Sequence, residues 1–217
     1  MTAPNRNTLW GRTLVDELAA AGVESVCLSP GSRSTPLTVA VAEHSDIEVF
    51  SHLDERSSTF FALVRARRTG NVTAVVCTSG TAAATCHPAV LEASESRVPL
   101  LLLTADRPPE LQDSGANQTT RQEHLYGDAV RSYRTLPEPE PDERKLRSLR
   151  VTAARAVRDA TEVPRGPVHL NVPFRKPLEP TAVPGDVPEG FADDAPLAVE
   201  GRNGPFVETT TGTGRLA

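Results

Sequence analysis

Four polar segments each follow an apolar run, and each contains side chains able to hold an anion or share a proton. Ser32-Arg33-Ser34-Thr35 follows Val23–Leu28, and Asp54-Glu55-Arg56 follows Ile47–Phe50. Thr78-Ser79-Gly80-Thr81 follows Val72–Cys77, and Asp106-Arg107 with Asn117-Gln118 follows Pro99–Thr104. The planar fork of arginine matches carboxylates and phosphates. A Gly-Ser turn entering a helix points N–H groups at an anion, and a carboxyl such as Glu55 can exchange a proton with a bound group. Taken singly, each segment is equally a capped turn or a first-turn carboxylate favoured by the helix dipole. Gly31 and Gly80 belong to no P-loop, because no Gly-Lys-Ser/Thr is present, and there is no G-x-G-x-x-G. Cys27, Cys77 and Cys86 are odd in number and lack C-x-x-C spacing. They read as small core hydrophobes in a reducing compartment rather than as metal ligands, even with His87 beside Cys86.

The runs that carry these segments alternate with helical patterns. Leu9, Trp10, Leu14, Leu18 and Ala21 lie at helical spacing behind a cap at Asn7 or Thr8, and Gly22 ends that helix. Further helices are expected through Leu37–Ala42, Glu55–Arg68, Ala82–Ala93 and Arg144–Thr161, and a last strand at Val168–Val172. Apolar, β-branched strands between helices predict an α/β fold: a mostly parallel central sheet with helices on both faces and the four leading strands buried. Ligands of such sheets bind beyond the carboxyl ends of the strands, where all four polar segments fall. Leu136–Asp142 reads as a solvated link. Residues 181–217 are rich in Pro and Gly, which predicts a linker without helix or core strand, so the domain is placed at 1–180.

The 217 residues carry 23 basic and 28 acidic side chains, a net charge of -5 that argues against a nucleic-acid-binding body. Only Lys145 and Lys176 are lysines; the other basic residues are arginines. The longest apolar run, Val98–Leu103, is far short of the roughly 20 residues of a membrane span. With no apolar signal core at the N-terminus, a soluble, cytoplasmic protein is expected.

Several motifs together carry a resemblance. Ser29-Pro-Gly-Ser-Arg-Ser-Thr-Pro-Leu, Ser51-His-Leu-Asp-Glu-Arg-Ser, Thr78-Ser-Gly-Thr-Ala-Ala-Ala, Leu103-Thr-Ala-Asp-Arg-Pro-Pro-Glu-Leu, Gly115-Ala-Asn-Gln-Thr-Thr-Arg-Gln and Gly166-Pro-Val-His-Leu-Asn-Val-Pro-Phe occur in order. From about Thr8 to Pro180 the chain resembles the N-terminal, pyrimidine-binding domain of the MenD family, the 2-succinyl-5-enolpyruvyl-6-hydroxy-3-cyclohexene-1-carboxylate synthases.

That resemblance implies a transferase using thiamine diphosphate and Mg2+ or Mn2+, which condenses isochorismate with 2-oxoglutarate in menaquinone biosynthesis and releases carbon dioxide. Glu55 matches the cofactor-activating glutamate, whose carboxyl bonds the aminopyrimidine ring nitrogen, and Gly80 and Thr81 match cofactor-binding positions. Ser32, Arg33, Arg107 and Gln118 match substrate-contacting positions. No metal ligands are expected here: Gly127-Asp128 is followed by Ala129 and Gly185-Asp186 by Val187, so the family's Gly-Asp-Gly is missing. The metal is expected in an absent C-terminal domain, reached through an absent middle domain, and this piece alone is expected to be inactive. The resemblance further implies self-association into a homodimer or homotetramer and an apolar surface around Phe60-Phe61. Two alternatives stay open: another thiamine-diphosphate 2-oxoacid enzyme, such as an acetolactate synthase, and a noncatalytic small-anion-binding module.

Overall fold

The computed structural model describes residues 3–208. Six strands form one sheet in the order β2-β1-β3-β4-β6-β5, and every pairing is parallel. The strands are β1 Ser25–Leu28, β2 Glu48–Ser51, β3 Thr73–Cys77, β4 Leu100–Asp106, β5 Ser132–Thr135 and β6 Val168–Pro173. Successive side chains alternate between faces, and the two cores divide accordingly. Val26, Leu28, Ala74, Val76, Leu101, Leu103, Leu170 and Val172 pack into one core with the helices α1 Arg6–Ala20, α2 Thr35–Glu43 and α6 Glu143–Thr161. Cys27, Val75, Cys77, Leu100 and Leu102 pack on the other face against α3 Glu55–Thr69, α4 Thr81–Thr85 and α5 His87–Glu95. All three cysteines are free and buried in this second core, and burial pushes the Cys27 thiol up to about 12.

The helix ends follow local chemistry. Asn5, not Asn7 or Thr8, caps α1: its side chain accepts the Thr8 N–H at 2.9 Å. Asn7 instead donates to the carbonyls of Arg175 and Pro177, both at 2.6 Å, tying α1 to the chain after β6. Asp54 caps α3 through the Ser57 N–H, and Gly70 closes it at φ 78°. The single helix expected over Ala82–Ala93 is two, because Pro88 enters at the start of α5 and a proline ring supplies no N–H to a continuing helix.

Three further expectations are corrected. The strand β2 is not buried; it is an edge strand, with Glu48, Val49 and Ser51 exposed. The opposite edge, β5, has no apolar alternation to announce it. Leu136 is buried, and its N–H bonds the Asn171 carbonyl at 2.8 Å, so that segment is not simply solvated. The stretch after Pro180 contains two short helices, α7 Phe191–Asp194 and α8 Pro196–Val199, with Ala195 and Ala198 in the core. Gly190 stands at the N-cap of α7 and Pro196 opens α8, positions compatible with helix, while residues 209–217 of the expected linker lie outside the described residues.

Candidate functional site

The sheet order places β1 between β2 and β3, so the chain leaves β1 in one direction and returns on its other side. The crevice at such a reversal is where open α/β sheets bind ligands. Here the loops after β1 and β3 touch. A Cβ on Gly31 would lie 2.5 Å from the Thr78 Cβ, so only glycine fits. Ser34 Oγ accepts the Gly31 N–H and donates to the Gly31 carbonyl, closing the turn.

The structure gathers Ser79, Gly80, Arg107 and Gln118 into direct contact. Arg107 Nη1 donates to Ser79 Oγ and to the Gln118 carbonyl. Gln118 Nε2 donates to the Ser79 carbonyl at 3.2 Å. Gly80 has φ 85°, a conformation other residues rarely adopt, and a Cβ there would press on the Gln118 backbone oxygen at 3.0 Å. Arg33 is buried, and its Nη1 donates to the Phe174 carbonyl at 2.7 Å. Burial, aided by the nearby Arg107 charge, lowers the Arg33 pKa, while Asp106 opposes the shift. Asp106 is itself buried, which raises its pKa against the hydrogen bond from Asn171 and the Arg107 N–H. Two guanidinium groups and one carboxyl thus share a small volume. The acid touches the backbone of Arg107, while the Arg107 side chain reaches across to the loop after β3.

Ser32 and Thr81 are exposed. Glu55 is half-buried at the first position of α3, and among the described residues its carboxyl has no ion pair or side-chain hydrogen bond. Among the described residues no hydrogen bond or ion pair joins the Glu55 carboxyl to Arg33 or Arg107. It lies instead toward the end of β3: Cys77 is held protonated by its hydrogen bond with Cys86 and by burial, with the Glu55 charge acting in the same direction. Among the described residues, Ser29 Oγ just after β1, His52 Nε2 just after β2 and Ser58 Oγ on α3 are buried without hydrogen-bond partners. Phe61 packs on Phe50 and His52, each with ring centroids 5.0 Å apart. A carboxyl with no internal partner, orphaned polar atoms and an aromatic wall suit a flat, nitrogen-bearing ring. Among the described residues no group of three His, Cys, Asp or Glu side chains is arranged to hold a metal. Phe60, Phe61 and Val64 are 38%, 41% and 63% exposed, the apolar surface expected along this helix.

Sequence reasoning missed a buried polar chain behind the site. The Gly80 N–H donates to Gln122 Oε1 at 2.8 Å, Gln122 Nε2 donates to Asn171 Oδ1 at 2.8 Å, and Asn171 Nδ2 donates to Asp106 Oδ2 at 2.7 Å. Thr104 Oγ1 also donates to Asn171 Oδ1, so it must accept from His169, which fixes the Nε2–H tautomer. The available signal was the pair His169 and Asn171, two residues apart on one face of an otherwise apolar strand.

Burial depresses the His169 pKa from 6.5 to about 3. The neutral ring therefore contributes stability that is complete above pH 6.5 and lost as pH falls through 3. The full depression is worth ~5 kcal/mol. His169→Gln, which can still donate to Thr104 but does not titrate, is expected to flatten the fall in urea midpoint between those pH values. An unchanged slope would place the acid sensitivity elsewhere.

No helix of the described residues is long and apolar enough to cross a membrane. The family model described as "Thiamine pyrophosphate enzyme, N-terminal TPP binding domain" matches residues 10–127. A curated relative in Haloquadratum walsbyi, named 2-succinyl-5-enolpyruvyl-6-hydroxy-3-cyclohexene-1-carboxylate synthase, is 69% identical over 212 residues, covering 98% of this chain and 34% of the relative. The protein of the same name in Halobacterium salinarum is 67% identical over 215 residues, covering 98% and 37%. That of Roseiflexus castenholzii is 59% identical over 188 residues, covering 86% and 32%. The chain spans about a third of the length of the curated relatives it matches. With a parallel sheet, a glycine-shaped crevice at its reversal and the family model matched over residues 10–127, the chain belongs to the thiamine pyrophosphate enzymes and carries their N-terminal TPP-binding domain.

Proposed function

We propose that this domain belongs to a 2-succinyl-5-enolpyruvyl-6-hydroxy-3-cyclohexene-1-carboxylate synthase, a thiamine-diphosphate transferase of menaquinone biosynthesis. It would condense isochorismate with 2-oxoglutarate and release carbon dioxide. The observation that carries this reading is the placement of Arg107 and Gln118 on the Ser79-Gly80 loop, with the Arg33 guanidinium close enough to feel the Arg107 charge. Both substrates are polycarboxylates, and an arginine fork binds a carboxylate through paired, charge-assisted hydrogen bonds. Identities of 59–69% to synthases of that name support the same substrates.

When bound, thiamine diphosphate supplies the carbon at which the 2-oxoacid loses carbon dioxide. Glu55 holds a proton at the pyrimidine ring nitrogen, and the Gly80-Thr81 turn offers backbone to the same ring. Ser32, Arg33, Arg107 and Gln118 bind and orient carboxylates. The diphosphate and its Mg2+ or Mn2+ are assigned to a further domain, since a hard cation needs clustered oxygen ligands. The same reading makes the enzyme cytoplasmic and a homodimer or homotetramer, with the Phe60-Phe61 face covered in the assembly and the domain placed at residues 1–180, α7 and α8 packing onto it from the segment that follows.

The test is release of carbon dioxide from 2-oxoglutarate by the complete protein, dependent on isochorismate. Arg33→Ala and Arg107→Ala are each expected to lower kcat/KM ~10–150-fold, the loss of one charged hydrogen bond worth ~1.5–3 kcal/mol. Release that needs no isochorismate would turn the reading toward a different 2-oxoacid enzyme. Unchanged kinetics with a lowered Tm would leave the arginines as braces for the Phe174 carbonyl and the Ser79 loop.

A further inference from the structure

We infer that Gln122 is a positioning residue that fixes the Ser79–Gly80 peptide and couples it, through Asn171, to the Asp106 carboxyl beside the two arginines. The inference rests on the proposed function, because it assigns Gln122 a role toward the cofactor loop and the substrate arginines.

The Ser79–Gly80 peptide is held at both ends. Its carbonyl accepts from Gln118 Nε2 at 3.2 Å on the open side, and its N–H donates to Gln122 Oε1 at 2.8 Å on the buried side. Gln122 is 1% exposed. A peptide gripped in this way cannot rotate, and Gly80 keeps a backbone conformation that other residues rarely adopt.

The amide orientations are forced. Gly80 contributes only a hydrogen, so Gln122 must present its oxygen there and its nitrogen to Asn171 Oδ1 and to the Ala105 carbonyl. Asn171 Oδ1 receives hydrogens from both Gln122 and Thr104, leaving its nitrogen for Asp106. Reversing either amide would set oxygen against oxygen or N–H against N–H in a buried site, where an unmade hydrogen bond is costly. The chain therefore has one polarity, running from the cofactor loop to the acid that faces Arg33 and Arg107. The titratable groups around it are Asp106 on β4 and His169 on β6, with Arg33 and Arg107 beyond Asp106.

Gln122→Met keeps the volume and removes every polar contact. In the complete protein it is expected to weaken thiamine diphosphate binding, measured by calorimetry in the presence of Mg2+ well below Tm, by about tenfold. The KM for 2-oxoglutarate should also rise about tenfold, while kcat changes less than threefold. Gln122→Glu is the second variant. As a buried acid it is neutral at lower pH, and its O–H can then replace the Gln122 donor to Asn171. Relative to wild type at each pH, its cofactor affinity and KM should be impaired at pH 8 and recover toward pH 6, a recovery that a packing role alone would not give. If wild type binds cofactor and either folded variant binds it equally well at pH 8, with an unchanged KM, the inference fails while the proposed function stands. If wild type does not bind thiamine diphosphate, both fail together.

Discussion

Glu55→Gln is expected to leave the protein folded and to lower turnover by ~10²–10⁴-fold, the usual contribution of a positioned proton-transfer group. The structure separates the two effects. Glu55 stands at the first position of α3, where a carboxylate gains only ~0.3–1 kcal/mol from the helix dipole. Capping of α3 rests on Asp54, whose side chain accepts both the N–H and the hydroxyl of Ser57 at 2.7 Å. Loss of the Glu55 charge therefore breaks no ion pair among the described residues and leaves the cap in place. The amide is nearly isosteric, so the substitution adds no bulk at the start of α3. What changes is the group offered to a ring nitrogen: a carboxyl can hold a proton there and a carboxamide cannot. Turnover of the complete enzyme at saturating thiamine diphosphate and Mg2+, beside its Tm, checks this. Wild-type turnover of the Gln variant would reject a proton role for Glu55 and return it to an ordinary first-turn carboxylate.

The parallel sheet was readable because central strands of such sheets must be apolar on both faces, and Val72–Cys77 and Pro99–Thr104 are. Edge strands are under no such demand. Ser132–Thr135 therefore passes as a loop, and β2 reads as buried from Ile47, Val49 and Phe50 although it closes the sheet. Proline and glycine after Pro180 mark helix ends as readily as a linker, which hid two helices one turn long. At the site, the rule that ligands lie beyond strand ends was enough to bring the loops after β3 and β4 together, and the contacts among Ser79, Arg107 and Gln118 follow that expectation. The rule says nothing of what lies behind the loops. Gln122 and Asn171 act through other side chains across β4 and β6, and such coupling depends on a register that no local pattern specifies.

Arg150→Met is expected to free the segment 196–206 from the domain, lowering its local opening free energy by ~3–5 kcal/mol, the cost of removing one partner from a buried ion pair. The guanidinium is 1% exposed on its side chain. Its Nη1 bonds Asp16 Oδ2 at 2.6 Å and Glu17 Oε2 at 3.2 Å, Nε donates to the Ala198 carbonyl at 2.9 Å, and Nη2 donates to the Val199 carbonyl at 2.7 Å. Glu17 in turn accepts the Phe206 N–H at 2.5 Å, so the arginine and its acid hold the segment at two points. Gly201 completes the fit, since a Cβ there would come within 2.7 Å of Arg150 Nη1. Methionine fills similar space but leaves Glu17 as a buried carboxylate without its cation, and two carbonyls without donors. Burial already raises the Glu17 pKa against the Phe206 N–H and the Arg150 charge, and removal of Arg150 raises it further. A carboxyl with a raised folded pKa contributes stability that is present below its unfolded value of about 4.5 and lost as pH rises through the folded pKa. The variant should therefore recover protection as pH falls, and Arg150→Met combined with Glu17→Gln should recover part of it at pH 7. Hydrogen exchange at Ala198, Val199 and Phe206 in the complete protein reads the opening directly. Protection unchanged in the single variant would mean that α8 is held by the burial of Ala195 and Ala198 alone.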